Sequence, residues 1–100
     1  MTWKLLEPIT FSGLRVKNRI VMPPMGMGYA NEDGTVSDRM IRYYLRRAQS
    51  GVGMIVIENC IVDPQVVGVG PELRIHDDLY IAGLRRLVRA LKPYDVIVGL

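Results

Sequence analysis

Lys17-Asn18-Arg19-Ile20-Val21-Met22-Pro23-Pro24-Met25-Gly26-Met27-Gly28 opens as a short apolar strand, Ile20 to Met22, and stops in two prolines. Proline has no N–H to give, so ladder pairing cannot run through Pro23 and Pro24. Beyond the prolines the chain bends through small residues around two methionines. Glycine lets a backbone come close to a ligand, and methionine offers a soft, adaptable surface. Such a bend suits a flat ligand. Its position after the first core strand carries further weight, because α/β barrels hold their chemistry in the loops at the C-terminal ends of the strands.

Upstream, Ile9-Thr10-Phe11 and Leu14-Arg15-Val16 flank Ser12-Gly13, which predicts a β-hairpin with a two-residue turn. Downstream, Tyr29 to Thr35 is a polar loop turning at Asn31-Glu32-Asp33-Gly34. Ser37 is an expected N-cap, and Met40, Ile41, Tyr44, Leu45 and Ala48 recur at helical spacing until Gly51 ends the helix. Met54-Ile55-Val56-Ile57 is apolar without alternation, as in a parallel strand covered on both faces. Val62 to Gly70 is irregular. Asp77 or Asp78 caps a second helix, with an inner stripe of Tyr80, Leu84, Leu87, Val88 and Leu91 that Pro93 stops. Val96 to Leu100 is a third apolar strand.

The order is a hairpin followed by β-α-β-α-β, an α/β pattern. A closed (β/α)8 barrel takes about 250 residues, and this chain has 100. The expectation is therefore a single unit, residues 1–100, forming the N-terminal portion of a TIM barrel whose remaining strands lie beyond it. A self-sufficient flavodoxin-like sheet is the alternative.

Composition narrows the class. The chain is 49% hydrophobic and 23% charged, with a net charge of +3. Arg39, Arg42, Arg46 and Arg47, and again Arg85, Arg86 and Arg89, fall on predicted helices whose apolar residues occupy a separate stripe. They read as solvated outer faces, not as a nucleic-acid footprint. No apolar run reaches the roughly 18 residues of a membrane span, and the N-terminus lacks a leader pattern, so a cytoplasmic location is expected. Cys60 is the only cysteine, which leaves no internal disulfide or multi-cysteine metal site.

Several blocks resemble the Old Yellow Enzyme-type NADH:flavin oxidoreductases. They are Glu7-Pro8-Ile9, Leu14 through Met22, Pro24-Met25, Asp33-Gly34, the helix from Tyr43-Tyr44 to Gly51-Val52-Gly53, and Ile55-Val56-Ile57-Glu58. The form Met-Pro-Pro-Met-Gly-x-Gly is similar to the branch of 2-enoate reductases, NADH oxidases and 2,4-dienoyl-CoA reductases. The resemblance implies an eight-stranded α/β barrel with FMN across its C-terminal mouth and the hairpin closing the bottom. It implies hydride transfer from NADH or NADPH through the flavin to an activated C=C bond, in a small-molecule carbonyl, carboxylate or thioester. It leaves room for a homo-oligomer. In the long relatives it also implies a 4Fe-4S cluster and an FAD domain, which would lie C-terminal to this chain.

Position by position, the resemblance places Pro23, Pro24, Met25 and Gly26 at the flavin ring, with the Gly26 N–H as a donor toward its edge. Asn59, at the end of the second strand, stands where relatives have a small residue beside the flavin. Tyr29 lies near a substrate-contacting tyrosine of some relatives. No catalytic residue and no metal ligand is assigned here, and the chain alone is expected to be inactive. The plainer expectations are that Cys60 packs, that His76 is exposed near a helix cap, and that Glu58 hydrogen-bonds a neighbouring loop. Other readings are another flavin-binding TIM-barrel enzyme, or a non-catalytic partial barrel that folds or self-associates through open strand edges.

Overall fold

A computed structural model describes residues 3–100. Strands β1 (Ile9–Phe11) and β2 (Leu14–Val16) form the expected antiparallel hairpin, with Ile9 opposite Val16 and Phe11 opposite Leu14. Both turn residues take positive φ, 48° at Ser12 and 76° at Gly13, so the turn follows the twist of the strands.

The main sheet is parallel and has three strands: β3 (Val21–Met22), β4 (Met54–Val56) and β7 (Ile97–Gly99), in the order β3-β4-β7. Helices α1 (Asp38–Ala48) and α2 (Ile81–Leu91) are the crossovers. Strands that lie side by side in chain order fit a barrel wall. A flavodoxin-like sheet would place its second strand outside its first, so the doubly wound alternative does not describe this chain.

Each crossover begins as the sequence predicts. The Ser37 hydroxyl accepts the Met40 N–H at 3.0 Å and donates to the Tyr29 carbonyl, so one side chain caps α1 and ties down the preceding loop. The Asp77 carboxylate accepts the Leu79 N–H at 2.9 Å and starts a 3-10 turn, Asp78–Tyr80, that leads into α2. Met40, Tyr44 and Ala48 of α1 meet Ile55 of β4 and Leu87 and Leu91 of α2 in one buried core. Truncating Leu87 or Leu91 to alanine would cost about 2–5 kcal/mol. The Arg86–Asp38 ion pair between the helices, at 3.1 Å, is exposed and contributes less than about 1 kcal/mol.

Four details differ from the sequence reading. The apolar strands are each shorter than their apolar runs: β3 begins at Val21, β4 ends at Val56 although the Ile57 N–H still bonds the Gly99 carbonyl at 2.8 Å, and β7 is confined to Ile97–Gly99. A second parallel pair, β5 (Cys60–Ile61) with β6 (Leu73–Arg74), forms across the irregular 62–72 segment. Val88 is exposed, since Tyr80, Leu87 and Leu91 define the buried stripe and Val88 is turned about 100° away from Leu87. Pro93 does not stop the helix outright but sits in a 3-10 turn, Lys92–Tyr94, that α2 runs into.

The hairpin is locked to the N-terminal end of this sheet. The Lys17 ammonium donates to the Tyr94 carbonyl at 2.6 Å, and the Asn18 amide donates to the Gly51 carbonyl at 2.8 Å. The Asn18 side-chain oxygen accepts the Ile20 N–H at 3.1 Å. Gly53 passes so close that a Cβ there would lie 2.6 Å from the Asn18 backbone oxygen.

Candidate functional site

The opposite end of the sheet carries the double-proline bend. Parallel strands share one direction, so the segments after β3, β4 and β7 leave the sheet on the same side. After Met22, Pro23 and Pro24 turn the chain out, and it returns through Gly28, at φ 68°. An open cavity of about 350 Å³ lies at this end, bounded by Pro24, Val56, Glu58, Asn59, Cys60 and Leu100, with Val62 and Ile75 closing it from the β5–β6 side. That volume falls at the lower end of small-molecule sites, which span about 300–1,000 Å³. Its wall is mostly apolar and holds no Lys or Arg. A larger hollow of about 500 Å³ runs along α2 between Ile81, Leu84, Val88 and the cations Arg85, Arg89 and Lys92. It is away from the strand ends and gathers no group suited to proton or hydride chemistry.

Pro24 and Asn59 come together on this cavity. Gly26 adjoins them, since a Cβ built on it would meet the Asn59 side-chain oxygen at 3.2 Å. The Asn59 amide is oriented from its other side by the Glu72 carboxylate, at 3.3 Å. Pro23 and Met25 are exposed on the same bend, Met25 at 45%, without lining the cavity. Tyr29 is not brought here. Its ring packs edge-on against Tyr43 with centroids 5.5 Å apart, and the Arg39 guanidinium covers it at 3.8 Å. The turn at Gly28 and the bond from Ser37 carry Tyr29 onto α1, which is why its side chain leaves the mouth.

Glu58 is 2% exposed and does what the plainer expectation asked of it. One carboxylate oxygen accepts the Met27 N–H at 3.4 Å, and the other accepts the Tyr44 hydroxyl at 3.2 Å. Burial raises its pKa, partly offset by the Met27 and Tyr44 bonds, and the charge of Glu72 adds to the rise. Burial, with the nearby Glu58 charge, pushes the Cys60 thiol up to about 11. A thiol held that far from its thiolate is a packing group, not a nucleophile. His76 departs from its expected exposure. It is half-buried, edge-on to Tyr80 at 5.2 Å, and its Nδ1 finds no partner among the described residues. No cluster of three His, Cys, Asp or Glu suited to a metal occurs among the described residues.

The apolar lining from Val56, Val62, Ile75 and Leu100 was not singled out in the sequence. Val56 and Leu100 were legible as strand residues, but only the fold shows which ends of those strands face the cavity. The cavity has apolar walls with the Asn59 carboxamide at its rim, a surface suited to the edge of a flat apolar group. It offers no cation for a phosphate.

Residues 4–100 match the family described as NADH:flavin oxidoreductase / NADH oxidase. The chain is 52% identical over 82 residues to an NADH oxidase of Thermoanaerobacter brockii, an alignment covering 81% of this chain and 13% of that protein. It is 36% identical over 101 residues to an NADPH dehydrogenase of Bacillus subtilis strain 168, covering 100% of this chain and 30% of that one. The old yellow enzyme from Trypanosoma cruzi superposes with a TM-score of 0.83 at 32% identity, over 95% of this chain and 25% of that structure. The chain thus spans between an eighth and a third of the length of these relatives. Its architecture is the N-terminal part of a TIM barrel, hairpin first.

Proposed function

This chain belongs to the NADH:flavin oxidoreductase / NADH oxidase family, and from that premise we propose that the whole protein is an FMN-dependent ene-reductase to which these residues give one wall of the flavin seat. Hydride comes from NADH or NADPH, and the acceptor is a small molecule with a C=C bond conjugated to a carbonyl, carboxylate or thioester. FMN, when bound, supplies the hydride chemistry. The chain's own residues bind and orient. Pro24 and the Met25–Gly26 backbone form the lip on the β3 side, and Asn59 forms the lip on the β4 side. In this reading the Gly26 N–H donates to a ring edge, where a donor stabilises charge that builds up on reduction. The apolar lining gives that edge a non-polar contact surface. The phosphate is held elsewhere in the whole protein, because no cation borders this cavity.

The observation that carries this reading is the meeting of Pro24 and Asn59 at one apolar cavity on the C-terminal ends of the strands, with Gly26 beside the Asn59 side chain. The 52% identity to a relative of which this chain is 13% fits a long protein, and in that reading a 4Fe-4S cluster and an FAD domain lie further along. The test is to express the complete reading frame and record its visible spectrum. Flavin bands that bleach with NADH or NADPH and return with a conjugated enoate or enone are expected. A folded, colourless protein would contradict the assignment, and iron with acid-labile sulfide checks the cluster.

A further inference from the structure

We propose that Glu58 is a positioning residue for the flavin, latching the 23–27 loop to α1 so that the backbone bordering the ring has one fixed shape. This role rests on the flavin reading of the cavity. Pro23 and Pro24 have no N–H, so the bend has few means of attachment. Among the described residues, its hydrogen bond to the strand ends runs through Met27, whose N–H meets the Glu58 carboxylate at 3.4 Å. The second carboxylate oxygen takes the hydroxyl of Tyr44, a fully buried residue in the middle of α1. That hydroxyl in turn accepts the Glu58 N–H at 3.0 Å. A closed figure results, joining the loop, the end of β4 and the helix behind them.

The residue type matches the donors. Two separate groups reach two oxygens of one side chain, and a carboxylate accepts at both. Glutamine would either turn its N–H₂ toward the Met27 N–H, donor against donor, or turn it toward the Tyr44 hydroxyl, which already accepts the Glu58 N–H. A buried carboxyl unpaired with any cation is costly, and among the described residues the ion pair present is Arg86–Asp38, elsewhere. A mere spacer at this point would not need that charge.

The latch is also sensitive to protonation. Burial holds the Glu58 pKa above the ordinary carboxylate range. The groups facing it are the Tyr44 hydroxyl on α1, the Cys60 thiol on β5 and the Glu72 carboxylate ahead of β6. The 23–28 loop and β7 bring no titratable group. The ionised form is the stronger acceptor for the Met27 amide. The latch therefore tightens as pH rises through the Glu58 value and loosens as pH falls through it.

The experiment compares the complete protein with Glu58→Gln and Tyr44→Phe, by FMN titration across pH and by hydrogen exchange at the Met27 amide. The wild type should bind FMN more weakly as pH falls through a break above the ordinary carboxylate range. Glu58→Gln should abolish that break, weaken FMN by about tenfold at mildly alkaline pH, and speed Met27 exchange by about tenfold. Tyr44→Phe should move the break upward with a smaller loss. A yellow Glu58→Gln protein with wild-type affinity, pH profile and Met27 exchange overturns the latch. If Glu58→Gln does not fold, an unchanged break and unchanged Met27 exchange in Tyr44→Phe overturn it equally. A folded wild type without flavin overturns the flavin reading instead, and Met27 exchange then decides the latch by itself.

Discussion

The two ends of the three-stranded sheet are built in opposite ways. At the N-terminal end, Lys17 and Asn18 make direct bonds of 2.6–3.1 Å to the turns that precede β4 and β7 and to the start of the β3 segment. Backbone passes against backbone there, with no room for a side chain at Gly53. At the C-terminal end the bonds are longer, 3.4 Å from Met27 to Glu58 and 3.3 Å from Asn59 to Glu72, and they surround an open cavity. The N-terminal end fixes the fold and the C-terminal end is left free to take a ligand, the division of labour expected of a barrel. The contrast also separates two kinds of resemblance. The Lys17-to-Val21 block that identifies the family is scaffold, while the residues nearest the proposed chemistry are the bend and Asn59.

Substitutions at one end should leave the other untouched. The largest effect is expected from Gly53→Ala. Its Cβ would sit 2.6 Å from the Asn18 backbone oxygen and 2.9 Å from a Val16 methyl. Backbone must move to relieve that, so the complete protein should lose about 3 kcal/mol in urea unfolding. The folded fraction should keep its flavin spectrum. Met25→Asp is its mirror image. FMN affinity should fall about a hundredfold, about 2.7 kcal/mol. The unfolding midpoint should hardly move, because Met25 is 45% exposed. Flavin retention by this variant would show that the bend is misplaced. Asn18→Ala removes both bonds of one side chain and should cost about 2 kcal/mol of stability at constant FMN affinity. Altered flavin binding would break the separation of the two ends. The smallest effect sharpens the upper end. Gly26→Ala presses on the Asn59 oxygen, and Asn59→Ala removes it. A double-mutant cycle in FMN binding should therefore show coupling of about 0.5–1 kcal/mol, and strict additivity would mean that the two do not share the space.

Most of the scaffold was legible in the sequence. The hairpin, the Ser37 cap, the α1 stripe and the parallel runs each obey a local rule: a turn pair, a hydroxyl before a period, apolar residues without alternation. The β5–β6 pair was not legible, because strands of two residues have no period to read and Pro64 with the neighbouring glycines suggests only a loop. Tyr29 is a substrate-side candidate through the resemblance alone, and no local pattern in the sequence shows that Gly28 turns it to pack against Tyr43 on α1. Glu58 showed in the sequence only as an acid at the end of an apolar run. Its two partners lie 14 and 31 residues earlier, and no local pattern links them.

The most direct test of this division between the two ends is hydrogen exchange of the complete protein with and without FMN. FMN should slow exchange at residues 25–27 and 58–60 and leave residues 17–19 and 51–53 as they were. Protection confined to the hairpin side, or none at the bend while flavin is bound, would contradict it.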